Sequence, residues 1–145
     1  MMIFIIVLSV VVSDQAAKFF ASRLLSLNVP VPLIKNFLNL TLVHNRGAAF
    51  GFFQNQIILF VLVSFFAIGL ILHNLKNKTN SLVFNVSLSL ILGGAIGNLI
   101  DRLRFGYVID FLDFKVWPVF NIADSMITIA VAALVWELLF HKNAA

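Results

Sequence analysis

The sequence predicts an all-α membrane protein: four transmembrane helices in a single domain spanning residues 1–145. Three observations carry that reading. The composition is strongly apolar, four apolar stretches have membrane-crossing length, and the two long connections fall on one side. Of 145 residues, 61% are hydrophobic and 11% charged, with a mean hydropathy of +1.04. A soluble domain is roughly 45–50% apolar and about 25% charged. The chain therefore has too little polar surface for a water-soluble enzyme and too few charges for a disordered segment. It contains no cysteine, which excludes disulfides, thiolate catalysis and Cys-ligated zinc or iron–sulfur sites. Its net charge of +4 comes from ten scattered Lys/Arg against six acids. That balance suits anionic head groups and provides no basic stripe for nucleic acid.

A spanning helix needs about 20 mostly apolar residues at ~1.5 Å each. The first stretch covers residues 1–20, apolar through Val12 before Ser13, Asp14, Gln15 and Lys18. No cation precedes it and no small-residue cleavage pattern follows, so it reads as a helix and not as a cleaved leader. The second stretch, 57–75, is rich in Phe and Leu. The third, 82–100, carries Asn85, Ser87 and Ser89. The fourth, 122–140, has Asp124 near its start and Glu137 near its end. A short polar turn, Lys76 to Asn80, joins the second and third. The first and third connections run roughly 35 and 20 residues, lengths that are usually functional or structured. Phe37 to Leu42 alternates apolar and polar like a strand, and Val108 to Phe114 is dense in β-branched and aromatic residues. The pattern alone fits a small surface sheet and an irregular interfacial loop equally.

The six acids are Asp14, Asp101, Asp110, Asp113, Asp124 and Glu137. Threading the four helices puts all five aspartates on the long-loop side. An ionisable group near hydrocarbon costs ~2.5–3.5 kcal/mol on insertion scales, so this convergence needs a reason. Asn121 and Asp124 share a helical face three residues apart, which also fits an N-cap followed by an acid in the first turn. Asn98, Asp101 and Arg102 share another face, which also fits an interfacial ion pair closing the third helix. The Gly93, Gly94 and Gly97 run ahead of them suits close helix packing. Residues 47–51 contain no phosphate-loop Lys and no GxGxxG. His44, His73 and His141 have no metal-ligand spacing, and there is no HExxH motif or GxSxG elbow. A Ser–Lys dyad at Lys18 is the weaker nucleophilic option. Glu137 reads as an anchor at the opposite face. Two aspartates a few ångströms apart cannot both ionise cheaply, and a pair sharing one proton is equipped for aspartic hydrolysis without a metal.

Five segments in order resemble bacterial lipoprotein signal peptidase (signal peptidase II): Asp14-Gln15-x-x-Lys18, Asn45 to Phe50, Gly93 to Arg102, Val108 to Phe111, and Phe120 to Ser125. The resemblance implies a four-helix membrane aspartic endopeptidase with cytoplasmic termini. Its first long loop would form a small extracytoplasmic β-sheet and a mobile flap. The implied substrates are prolipoproteins whose cysteine already carries a diacylglyceryl group, cut just before that cysteine. The implied catalytic pair is Asp110 and Asp124. Asn45, Asn98, Arg102 and Asn121 would line the substrate site, with Asp14 and Asp101 in support, Asp101 through an ion pair. Arg46 occupies a variable slot. Asp113 lies outside the pattern and, opposite to Asp110 along an extended strand, is expected to be solvated. No cofactor and no metal are implied. The expected partners are lipid-modified prolipoproteins and membrane lipids, with no nucleic acid, around a monomer. The expected location is the bacterial cytoplasmic (inner) membrane with the site at its outer, periplasmic face.

One count opposes that orientation. Lys76, Lys78 and Lys142 lie on the short-turn side, against Lys18, Arg23, Lys35, Arg46, Arg102, Arg104 and Lys115 on the other. Applied naively, the positive-inside rule places the long loops in the cytoplasm. Two other functions fit four such helices: a small proton-coupled transporter with Asp14 as carrier, disfavoured because the acids cluster at one face and not the midplane, and a non-catalytic assembly factor.

Overall fold

The computed structural model describes residues 1–47, 55–76 and 81–140. Within them the order is α1 (Met2–Leu24), β1 (Val31–Ile34), β2 (Leu38–Asn45), α2 (Ile57–Asn74), α3 (Leu82–Phe105), β3 (Val108–Asp113) and α4 (Ile122–Phe140). All four helices are long and apolar enough to cross a membrane. Many of their large apolar side chains face outward, among them Phe66 (73% exposed) and Leu139 (68%). In a protein with no lipid-facing surface those side chains would be buried.

Helix α3 is the hub. It packs against α1, α2 and α4, and half of its apolar window is enclosed. Ser81 opens it by accepting from the Phe84 N–H at 3.0 Å, and Gly106, at φ 74°, closes it in the left-handed conformation that glycine tolerates. An ordinary apolar cluster of Ile71, Leu88 and Leu92 fills the middle. At the sheet end polar side chains are enclosed as well, Asp14, Lys18, Asn98, Asp101, Asp110 and Asn121, among apolar ones such as Val108, Ile109 and Phe111. At the opposite end the Ser81 hydroxyl donates to Glu137, tying α3 to α4.

Two helices run past the expected ends. The first continues to Leu24 and not to residue 20, because Asp14, Gln15 and Lys18 are paired inside the bundle and so do not mark a water-facing terminus. The third continues to Phe105 and not to residue 100, for the same reason at Asp101. The sheet expected from Phe37–Leu42 and Val108–Phe114 is present. It is antiparallel, in the order β1-β2-β3. Strand β1 was not anticipated. Its Pro32 is tolerated because β1 is an edge strand. After β3 the chain folds back, and Phe120 clamps to the strand through Leu112 N–H to Phe120 O (2.8 Å) and Phe120 N–H to Leu112 O (3.0 Å). This clamp sets the start of α4 beside Asp110. Part of the expected flap and of the Asn45–Phe50 motif falls on residues 48–54, and most of the Lys76–Asn80 turn on 77–80; these lie outside the described residues, as does His141.

Candidate active site

Four elements deliver the site. Strand β3 supplies Asp110 and β2 supplies Asn45. Asn45 pairs with Val108 across the ladder, so Asp110 is its diagonal neighbour on the same face. The Asn45 Nδ2 donates to Asp110 Oδ2 at 2.9 Å. Helix α4 supplies Asn121 and Asp124, and α3 supplies Asn98 and Arg102.

Two asparagines link the two carboxylates. Asn121 donates from Nδ2 to Asp110 Oδ1 at 2.7 Å, and its Oδ1 accepts the Asp124 N–H at 2.9 Å, which is the N-cap bond. Asn98 donates from Nδ2 to Asp124 Oδ1 at 2.7 Å, while its Oδ1 accepts from Asn121 Nδ2 (3.1 Å) and Lys18 Nζ (2.9 Å). With donors on its oxygen, the Asn98 amide has one orientation, with its NH₂ toward Asp124.

Beneath this layer lies a buried ion cluster. Lys18 Nζ sits 2.8 Å from both Asp14 Oδ2 and Asp101 Oδ2, and the three side chains are at most 2% exposed. Gln15 Nε2 bonds Asp101 Oδ1 at 2.9 Å and the Gly97 carbonyl at 3.2 Å. The remaining capacity of the two acids goes to backbone. Asp14 Oδ1 accepts the Ala123 N–H at 2.9 Å, and Asp101 Oδ2 accepts the Ile109 N–H at 3.1 Å. Ala123 precedes Asp124 and Ile109 precedes Asp110. Each buried acid thus grips the residue next to one member of the pair.

A cavity of about 330 Å³ opens above, lined by Asn45, Asn98, Arg102, Phe60, Trp117 and Asp124 among others. Asp110 is one hydrogen bond behind that wall, through Asn45. Arg102 lies over the Phe60 ring at 5.1 Å and interacts electrostatically with Asp124, Asp110 and Asp101. A second, more apolar cavity of about 350 Å³ shares Trp117, Phe120, Asp124 and Thr128 with the first. Burial, and then the charge of Asp124, push the Asp110 carboxyl up to about 7; the Asn45 and Asn121 hydrogen bonds and the Lys18 charge oppose the rise. Such a group holds or releases a proton near neutrality, as a general acid or base must.

The chain matches the family model described as Signal peptidase (SPase) II over residues 6–140. It belongs to the signal peptidase II family. A lipoprotein signal peptidase of Caldanaerobacter subterraneus is 48% identical over 141 residues, covering 96% of this chain and 97% of that one. One of Halothermothrix orenii is 43% identical over 137 residues, covering 94% of each. A solved bacterial membrane enzyme superposes with a TM-score of 0.92 at 30% identity, covering 99% of this chain and 93% of that one. This family member is accordingly a membrane peptidase, of the aspartic class; proton-coupled transport finds no support. Asp14, the carrier in that reading, has both oxygens committed to Lys18, Gln15 and Ala123.

All eight expected site residues of this peptidase come together at the sheet end. Two local readings need correcting. Asp101 pairs with Lys18 across to α1 and not with Arg102 on its own helix, because Lys18 is enclosed beside it. Asp113 is half-buried and not free in solvent: it accepts from the Thr41 hydroxyl and the Lys115 N–H, both at 2.8 Å. These donors outweigh the effect of its burial, and its carboxyl lies below the usual range. Lys18 and Gln15 are named in the sequence reading, Lys18 for a Ser–Lys dyad and both within a motif, but are given no place beside the aspartates. The signal was available: both stand in the Asp14-Gln15-x-x-Lys18 segment, and a lysine four residues after an aspartate shares its helical face.

Proposed function

We propose that this chain removes signal peptides from diacylglyceryl-modified prolipoproteins, cutting just before the lipidated cysteine, with Asp110 and Asp124 as the catalytic pair. The observation that carries the assignment is the convergence of these two carboxylates, from β3 and α4, through Asn98 and Asn121 beside one cavity, with Asp110 poised near neutrality. The pair shares one proton. The ionised carboxylate takes a proton from the attacking water while the protonated one polarises the scissile carbonyl, and the amide bond breaks as the leaving nitrogen is protonated. Asp110 reaches the reacting atoms when the Asn45 amide turns from it to the substrate backbone. Asn98 and Asn121 hold the pair in register, and Arg102 binds a substrate carbonyl at the cavity wall. The peptide occupies the polar cavity, and the apolar part of the substrate occupies the neighbouring one.

The relatives named lipoprotein signal peptidase support the substrate class. The complete pair, supplied by one chain, supports a monomeric enzyme. In the bacterial cytoplasmic membrane the sheet end would face outward, where a lipid-modified precursor presents its cleavage site. The lysine and arginine count opposes that orientation less than it first does, since Lys18 is enclosed in the ion cluster and Arg102 is part of the site.

Cleavage of a diacylglyceryl-modified precursor by purified protein tests the assignment. Asp110→Asn and Asp124→Asn should each lower turnover by at least about a thousandfold, the scale of losing a member of a catalytic unit, while the variants keep the wild-type unfolding midpoint. Normal turnover in either variant removes that residue from the pair.

A further inference from the structure

A separate cleft opens between the sheet ends of α1 and α3, with Arg23 and Arg104 on its walls beside Phe19, Phe105 and Ile109. Its volume is about 130 Å³, which admits a small hydrated anion such as a phosphate group. Lys18 and Asp101 form part of its lining and are already paired with each other at 2.8 Å. Arg23 and Arg104 are exposed and have no carboxylate partner among the described residues. The two guanidinium groups come from different helices, and each lies on an aromatic face of its own helix. Arg23 Cζ is 4.9 Å from the Phe19 ring centre, and Arg104 Cζ is 5.0 Å from that of Phe105. A ring beneath a guanidinium leaves the N–H fork for an oxyanion. Ser22 adds an exposed hydroxyl to the same lining.

Depth identifies the source of the anion. Arg23 and Arg104 stand in the last turns of two spanning helices, among outward-facing Phe20 (58% exposed), Leu24 (78%) and Leu103 (61%). These are positions where hydrocarbon gives way to head groups. A helix C-terminus favours a cation by itself. That effect accounts for one arginine on each helix, but not for both lining one cleft. We propose that the cleft holds the phosphate of an anionic membrane lipid, with Arg23 and Arg104 as its principal ligands and Ser22 as a third donor. The site is independent of the catalytic pair, and its test does not read peptidase activity.

The protein is reconstituted in phosphatidylcholine nanodiscs containing a minority of phosphatidylglycerol, extracted gently and weighed by native mass spectrometry. The wild type should retain phosphatidylglycerol. Arg23→Gln/Arg104→Gln should bind it roughly tenfold more weakly, and Lys35→Gln, an exposed cation outside the cleft, should bind it as the wild type does. Equal retention by the double variant overturns the site, and so does an equal loss in Lys35→Gln, which would show diffuse attraction. If the double variant does not fold, single Arg104→Gln carries the test: weaker retention supports the site and undiminished retention overturns it. A parallel arm adds inorganic phosphate. Failure of millimolar phosphate to displace the lipid supports a lipid source, and displacement at concentrations matching the lipid overturns it.

Discussion

Asn45 has two conflicting duties, and that conflict gives the pH dependence of the reaction a sign. Its amide donates to the charged form of Asp110 and so opposes the rise that burial and Asp124 impose. In Asn45→Leu the opposition is gone and the carboxyl keeps its proton to higher pH. A pair that needs one shared proton then stays active further into alkali. The basic limb of the kcat/KM profile, expected near pH 7 in the wild type, should move up by roughly one unit, since a hydrogen bond to a charged group is worth ~1.5 kcal/mol and one unit is ~1.4 kcal/mol. A limb that stays in place or moves down refutes the role given to Asn45. Lys18 is a different case. Its Nζ serves two enclosed carboxylates and the Asn98 oxygen together. Lys18→Met leaves both acids enclosed without their cation and should cost ~3–5 kcal/mol, read as a lowered unfolding midpoint in detergent. A midpoint equal to the wild type would mean that the cluster contributes nothing to stability.

Among the elements, α3 carries the tightest constraint. A Cβ built at Gly94 would lie 2.6 Å from the Ala123 carbonyl and 2.8 Å from Ile127 Cγ1, and one at Gly97 would lie 2.6 Å from Asp14 Oδ2. The glycine run therefore lets α4 and the Asp14 carboxylate approach α3 to contact distance, which is what brings Asp124 within reach of Asn98. Gly94→Ala should destabilise by ~1–3 kcal/mol through overpacking and lower turnover as well, because the displaced segment adjoins Asp124. Gly69→Ala on α2, where nothing lies within 4 Å of the added carbon, is the matched control and should leave turnover unchanged with no loss of stability, a mid-helix alanine being favoured over glycine. Element boundaries were least legible where polar side chains turned inward. Asp14, Gln15 and Lys18 looked like the wet end of a helix, and only their partners on α3 and α4 explain why α1 continues to Leu24. Strand β1 was invisible because Pro30 precedes it and Pro32 interrupts its pattern, which an edge strand accommodates.

For the whole molecule, direction across the bilayer decides which precursors the site can reach. Because the chain has no cysteine, single cysteines can be introduced without background. Lys35→Cys, exposed between β1 and β2, should react with an impermeant maleimide added to intact spheroplasts. Lys76→Cys, exposed after α2, should react only after permeabilisation. The opposite pattern would put the catalytic end in the cytoplasm and remove the proposed substrate from reach. The arrangement also shows why the apolar composition and five enclosed or half-enclosed aspartates coexist. The bundle exposes Phe, Leu, Ile and Val around its girth and gathers its aspartates at one end, where each has a donor.

The order of residues along the chain sufficed for four membrane-length helices and the collection of aspartates at one end, and it left two of the three strands evenly balanced against irregular loop. Those features depend on hydropathy and alternation, which are local properties. The same order, through its resemblance to a family, singled out the pair and its asparagines. The tertiary structure alone decided which partner each polar group takes: Asp101 with Lys18 and not Arg102, Asp14 with the start of α4, Asn121 with Asp110. Hydrogen bonds and ion pairs between residues some 80 to 110 positions apart depend on distances of a few ångströms across packed helices. Spacing along a sequence carries no such distances.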